Sequence, residues 1–367
     1  MSPINQSERV AIRAVTKDYE AWIGQRMPVV LADLESKHIQ MAQSALGFFR
    51  ATYYRWAQVW PAICADETNA PIGLCIGDIH TDNFGTWRDA EGRLTWGVND
   101  FDEAYPLPYT NDLIRLTASV LMAAKENTFA INAERAASAI LDGYTASITS
   151  GGTAFILAEE NPELRAMTLA QAGDPAHFWK KLTALEAPAM PIPASVKVLL
   201  AQAMPEHGLE FRIVHRRSGL GSLGRQRFVA LARWNNGLIA REAKELAPSA
   251  HVWLNNPQSD AGFYYQTLMD HAVRSADPYV SLNEQWLLRR LAPDCRRISL
   301  DKLSSVKDEE QLLHAMGFEI GNIHLGSKGF GEQIQVDLKK RPARWLLKAA
   351  KAMTDSLYPD YDEWRNG

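Results

Sequence analysis

The chain has 367 residues, a formal net charge of -4, 46% hydrophobic residues and 22% charged residues. At about 150 residues per domain that length corresponds to roughly two domains, enough to bury a core without a covalent staple, and the composition excludes wholesale disorder. Cys64, Cys75 and Cys295 are too few and too scattered for a disulfide framework or a zinc cluster, and the slightly acidic balance argues against a dedicated nucleic-acid binder while leaving room for one basic cleft that takes a small anion.

The first residues, MSPINQSERVAI, lack the charged and apolar regions of a signal peptide. No apolar run approaches the ~20 residues of a membrane span. The expectation is a soluble cytoplasmic protein. From Ile39 the positions Ala42, Leu46, Phe49, Tyr53, Trp56 and Trp60 recur at spacings of three and four, which predicts one long amphipathic helix. Phe49 and Arg50 on it lie where they could approach a site. Ile72 to Ile76 and Leu94 to Val98 are short apolar runs that predict strands, with turn residues between them. Helices are expected from about Asp112 and over Asn132 to Ser147. Residues 154 to 204 read as helices and a connector. Phe211 to His215, Arg227 to Leu231 and the run from Leu238 predict three antiparallel strands, with Asn235-Asn236-Gly237 as a hairpin turn. A helical stretch near Phe263 to Val273, a strand over Trp286 to Leu291, and helices from Asp308 and over Ala343 to Ser356 complete the chain.

Three segments carry the chemistry. Gly77-Asp78-Ile79-His80-Thr81-Asp82-Asn83-Phe84-Gly85 and Asn99-Asp100-Phe101-Asp102-Glu103-Ala104 each follow an apolar run, so both loops are expected to leave one sheet edge. Asn83 and Asp100 offer hard oxygen ligands for Mg²⁺, which takes few protein oxygens beside substrate phosphates. Asp78 is then the carboxylate that orients or deprotonates a hydroxyl, with His80 beside it. The third segment, Gly219-Leu220-Gly221-Ser222-Leu223-Gly224, lies between strand patterns rather than before a helix. That disfavours a dinucleotide fingerprint and favours a hairpin loop over phosphates. Lys244, 20 residues beyond Gly224, is placed to bind those phosphates as a point charge. Arg289 and Arg290 could reach an anion or face solvent.

Gly77 to Asn83 resembles the catalytic loop of aminoglycoside phosphotransferases and related protein-kinase-like enzymes, in which the Asp is followed five residues later by a metal-binding Asn. Asp100 to Ala104 is similar to their metal-binding Asp segment, and Asn111-Asp112-Leu113 to the structural Asp that opens the next helix. The usual His before the Gly-Asp pair is Ile76 here. More broadly, the chain resembles a bacterial family of uncharacterised proteins with a distant kinase-like assignment. The resemblance implies an α+β, protein-kinase-like two-lobed fold, ATP and Mg²⁺ as cofactors, and an unidentified hydroxyl acceptor, a small molecule by analogy. Because the Gly-rich loop follows the catalytic loop, the order is that of a circular permutation. It divides the chain into a helical segment 1–70, residues 71–204 with the catalytic loop and connector, a small β-rich nucleotide-binding part 205–290, and helices 291–367. An acidic partner for Lys244 is missing from the pattern: adjacent Glu245 would point to the opposite face of a strand, and Gln266 and Asp270 are weak substitutes. Three other readings follow from the same residues: a non-catalytic nucleotide-binding module, a kinase-like AMP transferase, and a metallophosphoesterase built on Gly-Asp-x-His.

Overall fold

The computed structural model describes residues 10–126, 130–157, 160–259, 262–298, 302–303 and 305–367. It opens with helices α1 (Ile12–Gly24), α2 (Leu31–Gln43), α3 (Ala45–Ala51) and α4 (Tyr53–Ile63). The single helix expected from Ile39 to Trp60 is therefore broken twice. Ser44 is extended (φ -151°) and its Oγ accepts from Gly47 N, capping α3. The Thr52 hydroxyl donates to Phe48 O at 2.8 Å. Such local side-chain bonds offer the backbone an alternative to continued helix. The apolar period survives because α3 and α4 both turn it toward one core, whereas Ile39, which should begin the stripe, is 65% exposed.

Strands β1 (Ile72–Cys75), β2 (Phe84–Arg88), β3 (Leu94–Val98) and β4 (Tyr105–Pro108) follow, then α5 (Thr110–Lys125), α6 (Ala133–Ser150) and the short β5 (Phe155–Ile156). Among the described residues β1 pairs with β4, and β3 with β2 and β5, so the two expected strands lie in different sheets. The shared sheet edge is replaced by something more specific. The loop 77–83 runs from β1 to β2 and the loop 99–104 from β3 to β4, so both cross the gap between the same two sheets. Asn99 N donates to Asn83 O at 2.9 Å where they meet.

After α7 (Pro162–Ala170), α8 (Pro175–Thr183) and α9 (Ala194–Gln202) comes an antiparallel five-stranded sheet. Its strands are β6 (Phe211–His215), β7 (Arg227–Trp234), β8 (Gly237–Glu245), β9 (Ser281–Asn283) and β10 (Trp286–Leu291), in the order β6-β7-β8-β10-β9. The β7–β8 turn places Asn235 and Asn236 at positive φ, as a tight hairpin requires. One face of the sheet packs on Val196, Leu200 and Met204 at α9, the other on Leu182 of α8. Between β8 and β9 lie α10 (Ala250–Asn255) and α11 (Tyr265–His271).

Helices α12 (Val306–His324), α13 (Phe330–Leu338) and α14 (Trp345–Asn366) end the chain, the last running ten residues beyond the expected Ser356. Together with α1 to α6 they bury the main core. Among the described residues, no helix is long and apolar enough to cross a membrane. α6 and α12 touch backbone to backbone: a Cβ on Gly317 would lie 2.0 Å from Ile140 O, and one on Gly143 1.9 Å from His314 O. Neither helix can yield without moving the core, so Gly317→Ala is expected to lower Tm by several degrees, as overpacking does. Gly262→Ala, which meets open space, should leave Tm nearly unchanged. Thermal unfolding of both variants checks this; equal values would contradict the helix contact.

Candidate active site

The catalytic-type loop is hung from a buried carboxylate. Asp112, in the first turn of α5 and fully buried, accepts from Ile76 N at 2.7 Å and Gly77 N at 3.0 Å. His324 Nε2 lies 3.1 Å from the same carboxylate, and Tyr144 Oη lies 2.8 Å from His324 Nδ1. Gly77 has φ +82°, and a Cβ there would fall 2.4 Å from Glu103 O, so the position needs glycine. Cys75 lies close to Asp112 and His324, but its thiol is bonded to Leu107 O. Each polar group of that trio is already occupied, which makes it scaffolding rather than an open metal site.

Asp78 projects from this anchored turn. Its Oδ1 accepts from Arg115 Nε at 2.8 Å and Nη2 at 2.5 Å. Arg115 is itself buried, stacked over Phe49, Tyr53 and Trp56, with its carbon 4.0 Å from the Phe49 ring centre. Burial raises the Asp78 carboxyl above its usual value, with Arg115 opposing. His80 Nδ1 accepts from Asp82 N at 3.2 Å, and Asn83 Oδ1 accepts from His80 N at 2.6 Å. Burial and the guanidiniums of Arg50, Arg115 and Arg297 hold the imidazole well below its usual pKa. His80 is thus a neutral ring that shapes the turn. Asn83 keeps a second lone pair on its carbonyl oxygen.

Asp100 is met by Lys244 Nζ at 3.2 Å, and Asp102 by the same nitrogen at 2.5 Å. The acidic partner that the sequence pattern lacked is therefore the Asp100–Asp102 pair itself. Gln266 and Asp270 bond to each other instead, at 2.7 Å. Arg225 adds a contact to Asp102 at 3.3 Å and to Glu103 at 3.8 Å. Although burial opposes it, Lys244 pulls Asp100 far below the usual carboxylate range. Burial and the charge of Asp100 push Asp102 up to about 6, and burial pushes Glu103 to about 7.

The Gly-rich loop closes over these groups as a 3-10 turn, Leu220–Ser222, between β6 and β7. Gly219 and Gly224 have φ of +77° and +97°. A Cβ on Gly221 would lie 3.0 Å from Arg50 O and 3.7 Å from Asp78 Oδ2. Gly224 turns away toward Leu34, and its carbonyl accepts from Val30 N. Asp78, His80, Asn83, Asp100, Gly219, Gly221 and Ser222 thus share one cavity of about 60 Å³. Gly224 lies outside it, and Lys244 reaches it through Asp100. Arg50, Asp102, Glu103 and Arg225 also line it and Arg115 supports it; of these the sequence names Arg50 beside its helix and Asp102 and Glu103 within their loop, but not Arg225 or Arg115. Arg115 was findable, because it stands three residues after Asp112 and so on the same helix face.

The donor set is all hard oxygen: Asp78, Asn83, Asp100 and Asp102. Asp102 Oδ1 is buried without a hydrogen-bond partner, which suits a cation such as Mg²⁺. A two-metal phosphoesterase needs several His and Asp ligands together. Among the described residues the metal-spaced group is Cys75, Asp112 and His324, away from Asp78's cavity.

Asp102 and Glu103 favour their protonated forms in the fold. Their contribution to stability is full below about pH 4, near the unfolded carboxyl values, and is lost as pH rises through 6 to 7. Glu103→Gln should therefore flatten the fall in Tm between pH 5 and 8. A slope equal to wild type would show that Glu103 ionises freely.

Residues 30–184 match the model of a family described as an uncharacterized protein conserved in bacteria (DUF2252). The match spans both acidic loops, Asp112 and Arg115, and stops before the Gly-rich loop and Lys244. No curated protein and no solved structure matches the chain.

Proposed function

We propose that this protein is an ATP- and Mg²⁺-dependent phosphotransferase acting on a hydroxyl acceptor, a small molecule by analogy. One observation carries the reading. Lys244 of β8 lies 3.2 Å from Asp100, 144 residues earlier in the chain, while the Gly-rich loop leading into the neighbouring β7 covers Asp78. That is the convergence a permuted kinase-like order requires, because a site needs its groups together in space and in no particular sequence order. A second observation supports it. The resemblance expects an imidazole at Ile76; His324, at the end of α12, brings one to Asp112 instead, beneath the same turn. On this reading residues 205–290 form the smaller part, and 71–150 with 300–367 the larger.

Asn83 and Asp100 would hold Mg²⁺, which supplies neutralising charge to the nucleotide phosphates. Arg115 fixes Asp78 through Oδ1, leaving Oδ2 to accept the hydrogen bond, and then the proton, of the acceptor hydroxyl. The backbone of Gly219 to Ser222 covers the phosphates and excludes water. Lys244 sets the position of Asp100 and adds positive charge beside it.

A non-catalytic nucleotide-binding module is the second reading, favoured by the cations that already neutralise both acids: Arg115 on Asp78 and Lys244 on Asp100. ATP turnover separates the two. The phosphotransferase reading expects Asp78→Ala to reduce turnover by about 10²–10⁴-fold and Asp100→Ala to abolish Mg²⁺-dependent turnover. Unchanged rates in both variants overturn it. Tight Mg-ATP binding without turnover supports the second reading, and product mass distinguishes a transferred phosphoryl group from AMP.

A further inference from the structure

A second cavity, of about 160 Å³, adjoins the first and shares Asn99, Asp100, Gly219 and Arg297 with it. Its lining is unusual in charge. It contains seven arginines and only two carboxylates, Asp100 and Asp277. Asp100 is already engaged by Lys244.

The arginines are not neutralised one for one. Arg216, Arg227 and Arg289 converge on the single carboxylate of Glu242, at 2.6, 3.0 and 2.5 Å. Glu242 is fully buried behind them, so the cluster presents an excess of two positive charges to the cavity. The Arg296 guanidinium donates to the backbone carbonyls of Gly173 and Pro293 and has no carboxylate partner among the described residues. Arg274 is stacked on Trp87 and Phe101 and donates through Nη2 to Val98 O; its buried Nη1 lies 4.0 Å from Glu319, near enough for an ion pair but without a hydrogen bond. Arg290 lies over Tyr279 with Nη2 3.9 Å from Asp294 and its buried Nε without a hydrogen-bond partner, and Arg297 pairs with Asp82 at 3.6 Å, so the unbalanced charge lies in the Glu242 cluster and Arg296. Buried donors without acceptors are costly unless a ligand supplies them. Guanidinium forks match phosphate oxygens better than an ammonium does.

We propose that this arginine-lined cavity is a binding site for a phosphate-bearing small molecule, separate from the Asp78 cavity but open to the same Asp100. Ser222 ties the two together, since its Oγ accepts from Arg227 Nη2 at 3.0 Å. The Gly-rich loop is thereby held by the arginine cluster as well as lying over Asp78. The phosphates have two chemical sources: the polyphosphate tail of a nucleotide, or an acceptor that is already phosphorylated. The site follows from charge and geometry and does not depend on turnover at Asp78.

Inorganic tripolyphosphate is the probe, used without divalent metal on the full chain at a fixed ionic strength of about 0.15 M, where long-range attraction is screened. Calorimetric binding to wild type is expected, weakened at least about tenfold in Arg290→Gln and in Arg296→Gln. Two variants are used so that one poorly folded protein does not decide the matter, and each is melted without ligand first. Arg50→Gln, at a residue that lines the Asp78 cavity and reaches the arginine cavity only through Asp82, shared with Arg297, should weaken binding less than either cavity variant. Absence of binding to wild type overturns the proposal. So does equal binding in both cavity variants, or a loss in Arg50→Gln as large as in Arg290→Gln. Competition by Mg-ATP identifies the nucleotide tail as the source, and a ternary complex identifies a phosphorylated acceptor; the site stands in either case.

Discussion

Lys244 Nζ is almost wholly buried between Asp100 and Asp102, and this contact fixes how the five-stranded sheet meets the acidic loops. A buried ammonium is tolerable only with its counter-charges in place; removing one partner of such a group costs roughly 3–5 kcal/mol. β8 therefore has to present Lys244 to the 99–104 loop and to nothing else. That loop is in turn fixed by Glu103, which accepts from Ala250 N at 2.7 Å, and by its crossing from β3 to β4. The sheet cannot rock away from Asp100 without exposing a charge pair or leaving one charge unpaired.

The same logic extends outward as alternating charge. Asp78 has Arg115, Asp82 has Arg50, Asp102 has Lys244 and Arg225, and Glu242 has three arginines. The array named carries more cations than acids, and a formal charge of -4 averaged over the whole chain gave no hint of it. Its unevenness is local. Acids outnumber cations around the Asp78 cavity, and guanidiniums outnumber acids in the cavity next to it. A bound cation suits the first and a bound anion the second, so a metal phosphate complex would satisfy both at their shared wall.

The sequence made some of this legible for definite reasons. The strands from Phe211 to Glu245 were readable because Asn235-Asn236-Gly237 permits few other conformations. The Asp78, Asn83 and Asp100 grouping was readable because its residue types and spacing are uncommon in ordinary turns. β2 and β4 escaped notice because they adjoin the two acidic loops and contain glycine or proline, which mask a strand pattern. The breaks at Ser44 and Thr52 were invisible to periodicity, which reports the buried side of a segment and not its continuity. Partners distant in sequence were least legible. Asp102 was read only as part of a loop, and its pairing with Lys244 depends on the placement of the whole sheet. Arg227 and Arg216 carried no motif at all; they matter because β7 and the end of β6 bring them, with Arg289 of β10, to one carboxylate on β8.

The cations on Asp78 and Asp100 impose a condition on any chemistry here. Arg115 holds Asp78 through one oxygen, so the carboxylate keeps a free face and loses none of its geometry when a hydroxyl binds. Lys244 holds Asp100 differently, sharing itself with Asp102 at the shorter distance. An arriving divalent cation would compete with the ammonium for Asp100 but not need to displace it, because Asp102 can retain Lys244 alone. The raised pKa of Asp102 then acquires a physical sense. Burial and the charge of Asp100 both raise it, so a cation bound at Asp100 would ease one of the two causes. The two aspartates, two residues apart on one loop, are held unequally: Asp102 takes the shorter contact with Lys244 and a second from Arg225, and Asp100 the longer.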